Sequence, residues 1–338
     1  MRIAVLTGGG VAPGVNSAIH RLAILSELHG HTLYGIRGGW RGLHDGYFMP
    51  LSSGMLNPWA PGTVLGTSRW NPRGSMVAMI RIIHRLDDKK MDGLIAIGGN
   101  DTLATALALH EEYSNGIPIV GIPKTIDNDL PGCDTSIGFS TAVAVIKRAV
   151  ADIGAVARSM ERTYIIEVMG RRTGWLAAHG GEDASQVALP EVPCTPDHFL
   201  TGGGVIVISE GAHIHNGDMD LPVALDSYGN ELLYQRHLAD RLANEFGARG
   251  ANVRTLVLGH LQNGALPVED DMELGRVYAT EALVCLEDGL TLIVPAYFAG
   301  ELRRQPLKTM AGQQREMPRK TIADLVDTGV RVAGWEED

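Results

Sequence analysis

The chain has 338 residues, with 29 lysines and arginines against 39 aspartates and glutamates, for a formal net charge of −10. At about 100–200 residues per domain this length predicts two domains. The acidic balance excludes nucleic acid or an anionic membrane as the main partner, but a few placed arginines and backbone N–H groups still suffice to bind phosphate.

Cys133, Cys194 and Cys285 are too scattered for a disulfide framework or a metal cluster, which predicts reduced thiols in a cytoplasmic protein. No apolar run approaches the roughly eighteen residues of a membrane span. The opening Met1–Leu6 reads as a strand rather than a secretory signal.

Short β-rich runs recur along the chain, each ending in a glycine turn or leading to a helical pattern. Ile3–Thr7 runs into Gly8-Gly9-Gly10-Val11-Ala12-Pro13-Gly14-Val15-Asn16 and a helix around 15–28. A glycine turn entering a helix aims backbone N–H groups at an anion. This loop matches neither a P-loop nor G-x-G-x-x-G, so it reads equally well as a plain strand-to-helix turn. Leu94–Ile97 leads into Gly98-Gly99-Asn100-Asp101-Thr102 and a helix over about 103–113. Asp101 would repel an anion there, so it reads as a metal ligand, as a means of excluding part of a larger nucleotide, or as a helix N-cap.

Ile117–Ile122 leads into Pro123-Lys124-Thr125-Ile126-Asp127-Asn128-Asp129. Two carboxylates beside a lysine and a threonine suit phosphoryl transfer. One takes a proton from an attacking hydroxyl, the other orients substrate or helps hold Mg²⁺, and the lysine neutralises the moving phosphoryl group. A long apolar helix from about Phe139 to Val156 is expected to cross between two sheets. Tyr164–Val168 leads into Met169-Gly170-Arg171, and an arginine fork after a buried strand suits phosphate. Val205–Ile208 leads into Glu210-Gly211-Ala212, and Thr255–Leu258 into Gly259-His260-Leu261-Gln262-Asn263-Gly264. Alternating strands, glycine turns and helices predict an α/β protein with parallel sheets and functional residues at the strands' carboxyl ends.

In this order, and with Leu65-Gly66-Thr67-Ser68-Arg69 added, the segments resemble the phosphofructokinase family. Thr-Ile-Asp-Asn-Asp together with Glu-Val-Met-Gly-Arg is specific, and the resemblance runs from about Val5 to Gly264. It implies two Rossmann-like three-layer α/β domains. Residues 1–138 plus about 262–310 would bind the phosphoryl donor, and 139–261 plus about 311–338 the sugar phosphate. It implies Mg²⁺-dependent transfer to the 1-hydroxyl of fructose 6-phosphate, a step of glycolysis. Asp127 would be the base, acting with Lys124 and Arg171. Gly10, Arg69, Asn100, Asp101 and Thr102 would hold the donor, with Asn100 and Asp127 on the metal. Thr125, Asp129, Met169, Glu210, His260 and Asn263 would hold the sugar phosphate. Arg162 and Arg254 would join them from a neighbouring subunit, which implies a homodimer or homotetramer.

Pyrophosphate-using members typically carry Asp and Lys at the positions of Asp101 and Lys124, and this chain has both, so pyrophosphate is the expected donor. The chain departs from the family at Val11 and Asn100, where acids are usual, and at Asn263, where an arginine is usual. Ala265-Leu266 and Met272 also depart, and the stretch 190–202 is short enough to predict a trimmed helix. An ATP-dependent sugar-phosphate kinase and a catalytically weak sugar-phosphate-binding paralogue remain as alternatives. His213 and His215 read as solvated, Trp40 and Trp175 as packing residues, Arg303 and Arg304 as surface, and 334–338 as a frayed tail.

Overall fold

The computed structural model describes residues 1–112, 116–215 and 223–336. The strands, in chain order, are β1 (Arg2–Thr7), β2 (Thr32–Ile36), β3 (Phe48–Pro50), β4 (Gly93–Gly98), β5 (Ile119–Pro123), β6 (Thr163–Val168), β7 (Gln186–Ala188), β8 (Gly204–Ser209), β9 (Val253–Val257), β10 (Ile293–Phe298), β11 (Glu301–Pro306) and β12 (Arg331–Val332). The helices are α1 (Val15–Leu28), α2 (Gly39–Asp45), α3 (Met76–Asp88), α4 (Asn100–Glu112), α5 (Phe139–Met160), α6 (Trp175–Gly180), α7 (Leu238–Ala248), α8 (Leu261–Gly264), α9 (Glu269–Glu287) and α10 (Arg319–Asp327).

Two compact units result: Met1–Thr141 with Asn263–Gln314, and Ala142–Gln262 with Arg315–Asp338. The chain divides after Thr141, three residues beyond the expected boundary at Gly138. The helix expected over 103–113 begins three residues earlier at Asn100, and its expected end, Tyr113, lies outside the described residues, as do the last two residues of the tail. Between 190 and 202 the structure has one short 3-10 turn, Pro196–His198.

The first unit carries a seven-stranded sheet in the order β11-β10-β5-β4-β1-β2-β3. Its five central strands are parallel, and β3 and β11 pair antiparallel at the edges. Alternate residues of one strand serve opposite faces. Ile3, Val5, Ile95 and Ile97 join one core with α1 and α9, while Ala4, Leu6, Leu94 and Ala96 join another with Trp40, Ile82 and Leu103. Burial on both faces explains why these strands read as continuous apolar runs rather than alternating ones.

The second unit carries a parallel five-stranded sheet, β12-β7-β8-β6-β9. Ile165, Ile206 and Ile208 pack with Leu238, Leu242 and Phe246 of α7 on one face. Arg303 and Arg304 are exposed on β11 and pair with Glu301, Glu281 and Asp288. The three cysteines are buried thiols outside any disulfide, and Cys133 Sγ donates to the Thr135 carbonyl at 3.2 Å.

Candidate active site

In the first unit β5, β4 and β1 are adjacent and parallel, so the loops that leave their carboxyl ends open on one edge of the sheet. The Gly8 N–H donates to the Ile97 carbonyl at 2.9 Å and the Gly9 N–H to Ser68 at 3.2 Å. Thr102 is buried beneath both glycine turns. A Cβ on Gly8 or on Gly98 would stand 2.4 Å from its side chain, so neither position tolerates alanine without a shift of the loop.

Other side chains stitch the Leu65–Arg69 segment alongside. Thr67 Oγ1 donates to the Gly9 carbonyl at 2.8 Å and Thr7 Oγ1 to Gly66 at 2.7 Å. Asn16 donates to the Ala60 carbonyl at 2.9 Å and accepts from the Val64 N–H at 2.8 Å. These bonds bring the Arg69 guanidinium to Gly10, where a methyl group would stand 3.7 Å from one of its nitrogens.

Lys124 is 4% exposed, and its ammonium lies inside the glycine loop. Nζ donates to the Gly8 carbonyl at 2.9 Å and to Gly10 at 2.6 Å. The side chain expected to meet the donor is therefore also a strut of the loop. Asn100 Oδ1 accepts the N–H of Asp101 at 2.8 Å, within the first turn of α4. The Asp101 carboxylate pairs with the Arg73 guanidinium at 3.5 Å.

Asp127 and Asp129 are buried on either side of Asn128, which adopts a left-handed conformation with φ of 53°. Asparagine tolerates that conformation at less cost than most residues. Its side chain then closes the loop, donating to the Asp134 carbonyl at 2.9 Å and accepting from the Ser136 N–H at 3.0 Å. Ser136 Oγ donates back to the Thr125 carbonyl at 2.6 Å. The Asp127 N–H donates to Thr125 Oγ1 at 3.2 Å, and Asp129 Oδ2 accepts from Gln314 at 3.0 Å. Asn128 and Gln314 were not singled out from sequence. An asparagine between two aspartates carried the signal for the first; no local signal existed for the second.

Mg²⁺ commonly takes one or two carboxylates and fills its shell with water and substrate phosphate oxygens. Asp127 fits that donor set. Asn100 fits it less well, because its side-chain oxygen already serves Asp101.

In the second unit β6 and β8 are neighbours, and their carboxyl ends are tied together. The Arg171 N–H donates to Glu210 Oε1 at 3.1 Å, and the Glu210 N–H donates to the Val168 carbonyl at 2.8 Å. Met169, Arg171 and Glu210 are thus brought together. Beside them opens a cavity of about 900 Å³ lined by Arg172, Gly211, His213, Arg236 and Trp335 among others. Glu167, one residue before the end of β6, is 3% exposed and accepts the Ala239 N–H at 2.8 Å, capping α7. Burial pushes its carboxyl pKa up, against the opposing pull of that hydrogen bond. His260 is exposed after β9.

Arg162 and Arg254 do not join this group within one chain. Arg162 precedes β6, and Arg254 on β9 pairs with Tyr164 at the start of β6. Seven residues at about 3.3 Å each separate Arg162 from Met169 along the strand direction. Asn263 belongs to the first unit. Its Nδ2 donates to the Val11 carbonyl at 2.9 Å, while its Oδ1 is buried with no hydrogen-bond partner among the described residues.

The sequence matches the phosphofructokinase family over residues 2–286. A Streptomyces coelicolor protein named pyrophosphate–fructose 6-phosphate 1-phosphotransferase is 37% identical over 305 residues, 86% of this chain and 88% of its own. Another S. coelicolor protein, named ATP-dependent 6-phosphofructokinase 3, is 36% identical over 308 residues, with the same coverage of 86% and 88%. A solved structure of a pyrophosphate-dependent phosphofructokinase from Marinobacter aquaeolei has a TM-score of 0.81 and 23% identity, covering 98% of this chain and 88% of that one. At that identity the likeness is one of fold.

Proposed function

Because this chain belongs to the phosphofructokinase family and is a phosphotransferase acting on an alcohol group, we propose that it moves a phosphoryl group from pyrophosphate to the 1-hydroxyl of fructose 6-phosphate or a related ketose phosphate. The observation that carries the donor is the Asp101 carboxylate, held at the start of α4 by Arg73. A fixed negative charge at a helix start opposes the α-phosphate of a nucleotide by charge and bulk. Pyrophosphate has no third phosphate or nucleoside to place there.

In this reading the acceptor hydroxyl attacks the nearer phosphorus of pyrophosphate, the bridging P–O bond breaks, and phosphate leaves. Asp127 takes the hydroxyl proton. Lys124, Arg69 and Arg171 offset the charge on the transferring group and on the leaving phosphate, while the Gly10 backbone and Thr102 shape the donor loop. Bound Mg²⁺, held by Asp127, would neutralise charge on the donor's oxygens. Thr125, Asp129, Met169 and Glu210 hold the sugar hydroxyls. His260, with Arg162 and Arg254 of a second copy of the chain, holds the 6-phosphate. The placement of Arg162 and Arg254 at the amino ends of their strands supports a homodimer or homotetramer. Asn263 braces the first loop through Val11, and its remaining Oδ1 is free to meet a substrate hydroxyl.

An ATP-dependent reading has one observation in its favour. Relatives named ATP-dependent are 35–36% identical to this chain, against 33–37% for those named pyrophosphate–fructose 6-phosphate 1-phosphotransferase. A panel of pyrophosphate and ATP against several ketose phosphates, read by phosphorus NMR, tests the proposal. Faster turnover with ATP overturns the donor, and faster turnover of another sugar phosphate overturns the acceptor.

A further inference from the structure

Three side chains far from the loops above converge where α1 and α9 both end. α1 closes in a left-handed turn at Gly30, φ 70°. The Gly30 N–H reaches back to the Glu27 carbonyl at 3.4 Å and the His31 N–H to Ser26 at 2.8 Å, the double bond of a Schellman motif. The turn sets His29 and His31 on either side of Gly30. α9 packs along α1 through one shared core that includes Ile19, Leu22, Leu25, Tyr278 and Ala282, and its last residue is Glu287. His29 Nδ1 lies 2.6 Å and His31 Nε2 2.7 Å from the same oxygen, Glu287 Oε1.

We propose that His29, His31 and Glu287 bind a divalent transition-metal ion of the Zn²⁺ class, clipping the ends of α1 and α9 together. The three ligand atoms lie within 4.8 Å of one another. Zn²⁺ bonds of about 2.0–2.1 Å need only a small spreading of the carboxylate from the rings, with water in the remaining position. Two imidazoles and one carboxylate suit Zn²⁺, Co²⁺, Ni²⁺ or Cu²⁺ and disfavour Mg²⁺.

The backbone favours a cation here as well. Both helices present their negative ends at this point, and neither has a basic residue in its last turn. A carboxylate at the end of α9 is unfavourable by itself and needs positive charge beside it. The side chains are 43%, 13% and 27% exposed for His29, His31 and Glu287, so an ion can reach all three from solvent.

The chelator-stripped full chain is titrated with Zn²⁺ in excess Mg²⁺, and bound Zn²⁺ is counted by equilibrium dialysis. One tight ion per chain is expected, weakened at least about tenfold in His29→Gln and in Glu287→Gln and unchanged in His213→Gln. Absence of a tight ion, or affinity that survives His29→Gln and Glu287→Gln, overturns the site. Should either variant fail to fold, Co²⁺ bound to the unaltered chain decides. Visible bands of four- or five-coordinate cobalt support the site, and a six-coordinate water-like spectrum overturns it.

Discussion

The side-chain amide of Asn263 donates to the carbonyl oxygen of Val11 at 2.9 Å, so two positions at which this chain departs from the family pattern touch each other. The contact joins the segment entering α9 to the glycine loop after β1. Asn263→Ala removes a hydrogen bond worth about 0.5–1.5 kcal/mol. We expect the KM for the phosphoryl donor to rise by up to about tenfold, with little change for the sugar phosphate. Steady-state kinetics with each substrate varied in turn checks this. A larger change on the sugar-phosphate side would show that Asn263 meets the acceptor.

Lys124 braces Gly8 and Gly10 as well as offering charge to the donor. Lys124→Met keeps the aliphatic stem and removes both charged hydrogen bonds, each worth about 1.5–3 kcal/mol. The expected result is a fall of roughly 10²-fold or more in kcat/KM for pyrophosphate, together with a lower melting temperature. A loss of activity at unchanged melting temperature would mean that the strut contributes nothing to the fold.

Asp101 is held by Arg73 at 3.5 Å. Asp101→Gly should raise kcat/KM for ATP relative to pyrophosphate by roughly 10–100-fold, the scale of one removed like-charge contact. Arg73→Ala should give a smaller change in the same direction, because the carboxylate can then turn aside. If neither variant improves ATP use, charge at this position does not select the donor.

Asp127 is buried in a loop that Asn128 and Ser136 hold in shape, and an asparagine is isosteric with it. Asp127→Asn should therefore fold normally and retain sugar-phosphate binding by calorimetry. Its kcat should drop by about 10²–10⁴-fold. Near-normal turnover would remove Asp127 from the role of base.

Glu167 supplies a pH test of the fold. Burial raises its pKa in the folded chain above the ordinary glutamate value of 4.5. The native state thus holds this proton more tightly than the unfolded state. The group's stabilising contribution is fully present below about pH 4.5 and is lost as pH rises through the folded pKa. Glu167→Gln keeps an oxygen for the Ala239 N–H and cannot ionise. The variant's melting temperature relative to the unaltered chain should climb as pH rises from about 4 toward neutrality. A flat difference would show that the carboxylate is not penalised.

Local sequence determined much of this protein. The strands β1, β4, β5, β6 and β8 were legible as apolar runs, because burial on both faces leaves no polar alternation to obscure them, and β9, more exposed, was legible from its β-branched residues and the Gly259 turn after it. The loops carrying Gly10, Lys124, Asp127, Asp129, Arg171 and Glu210 were legible because each follows its strand directly, so a contiguous segment holds both the positioning element and the side chain. Tertiary structure alone decided which distant segments meet. Asn263 reaches Val11 across 252 positions, Gln314 reaches Asp129 across 185, and Glu287 reaches His29 across 258. Arg73 on Asp101 and Lys124 inside the glycine loop are of the same kind. The partner of a polar side chain depends on which backbone packs beside it, and that follows from sheet order and helix packing, not from the residues on either side in sequence.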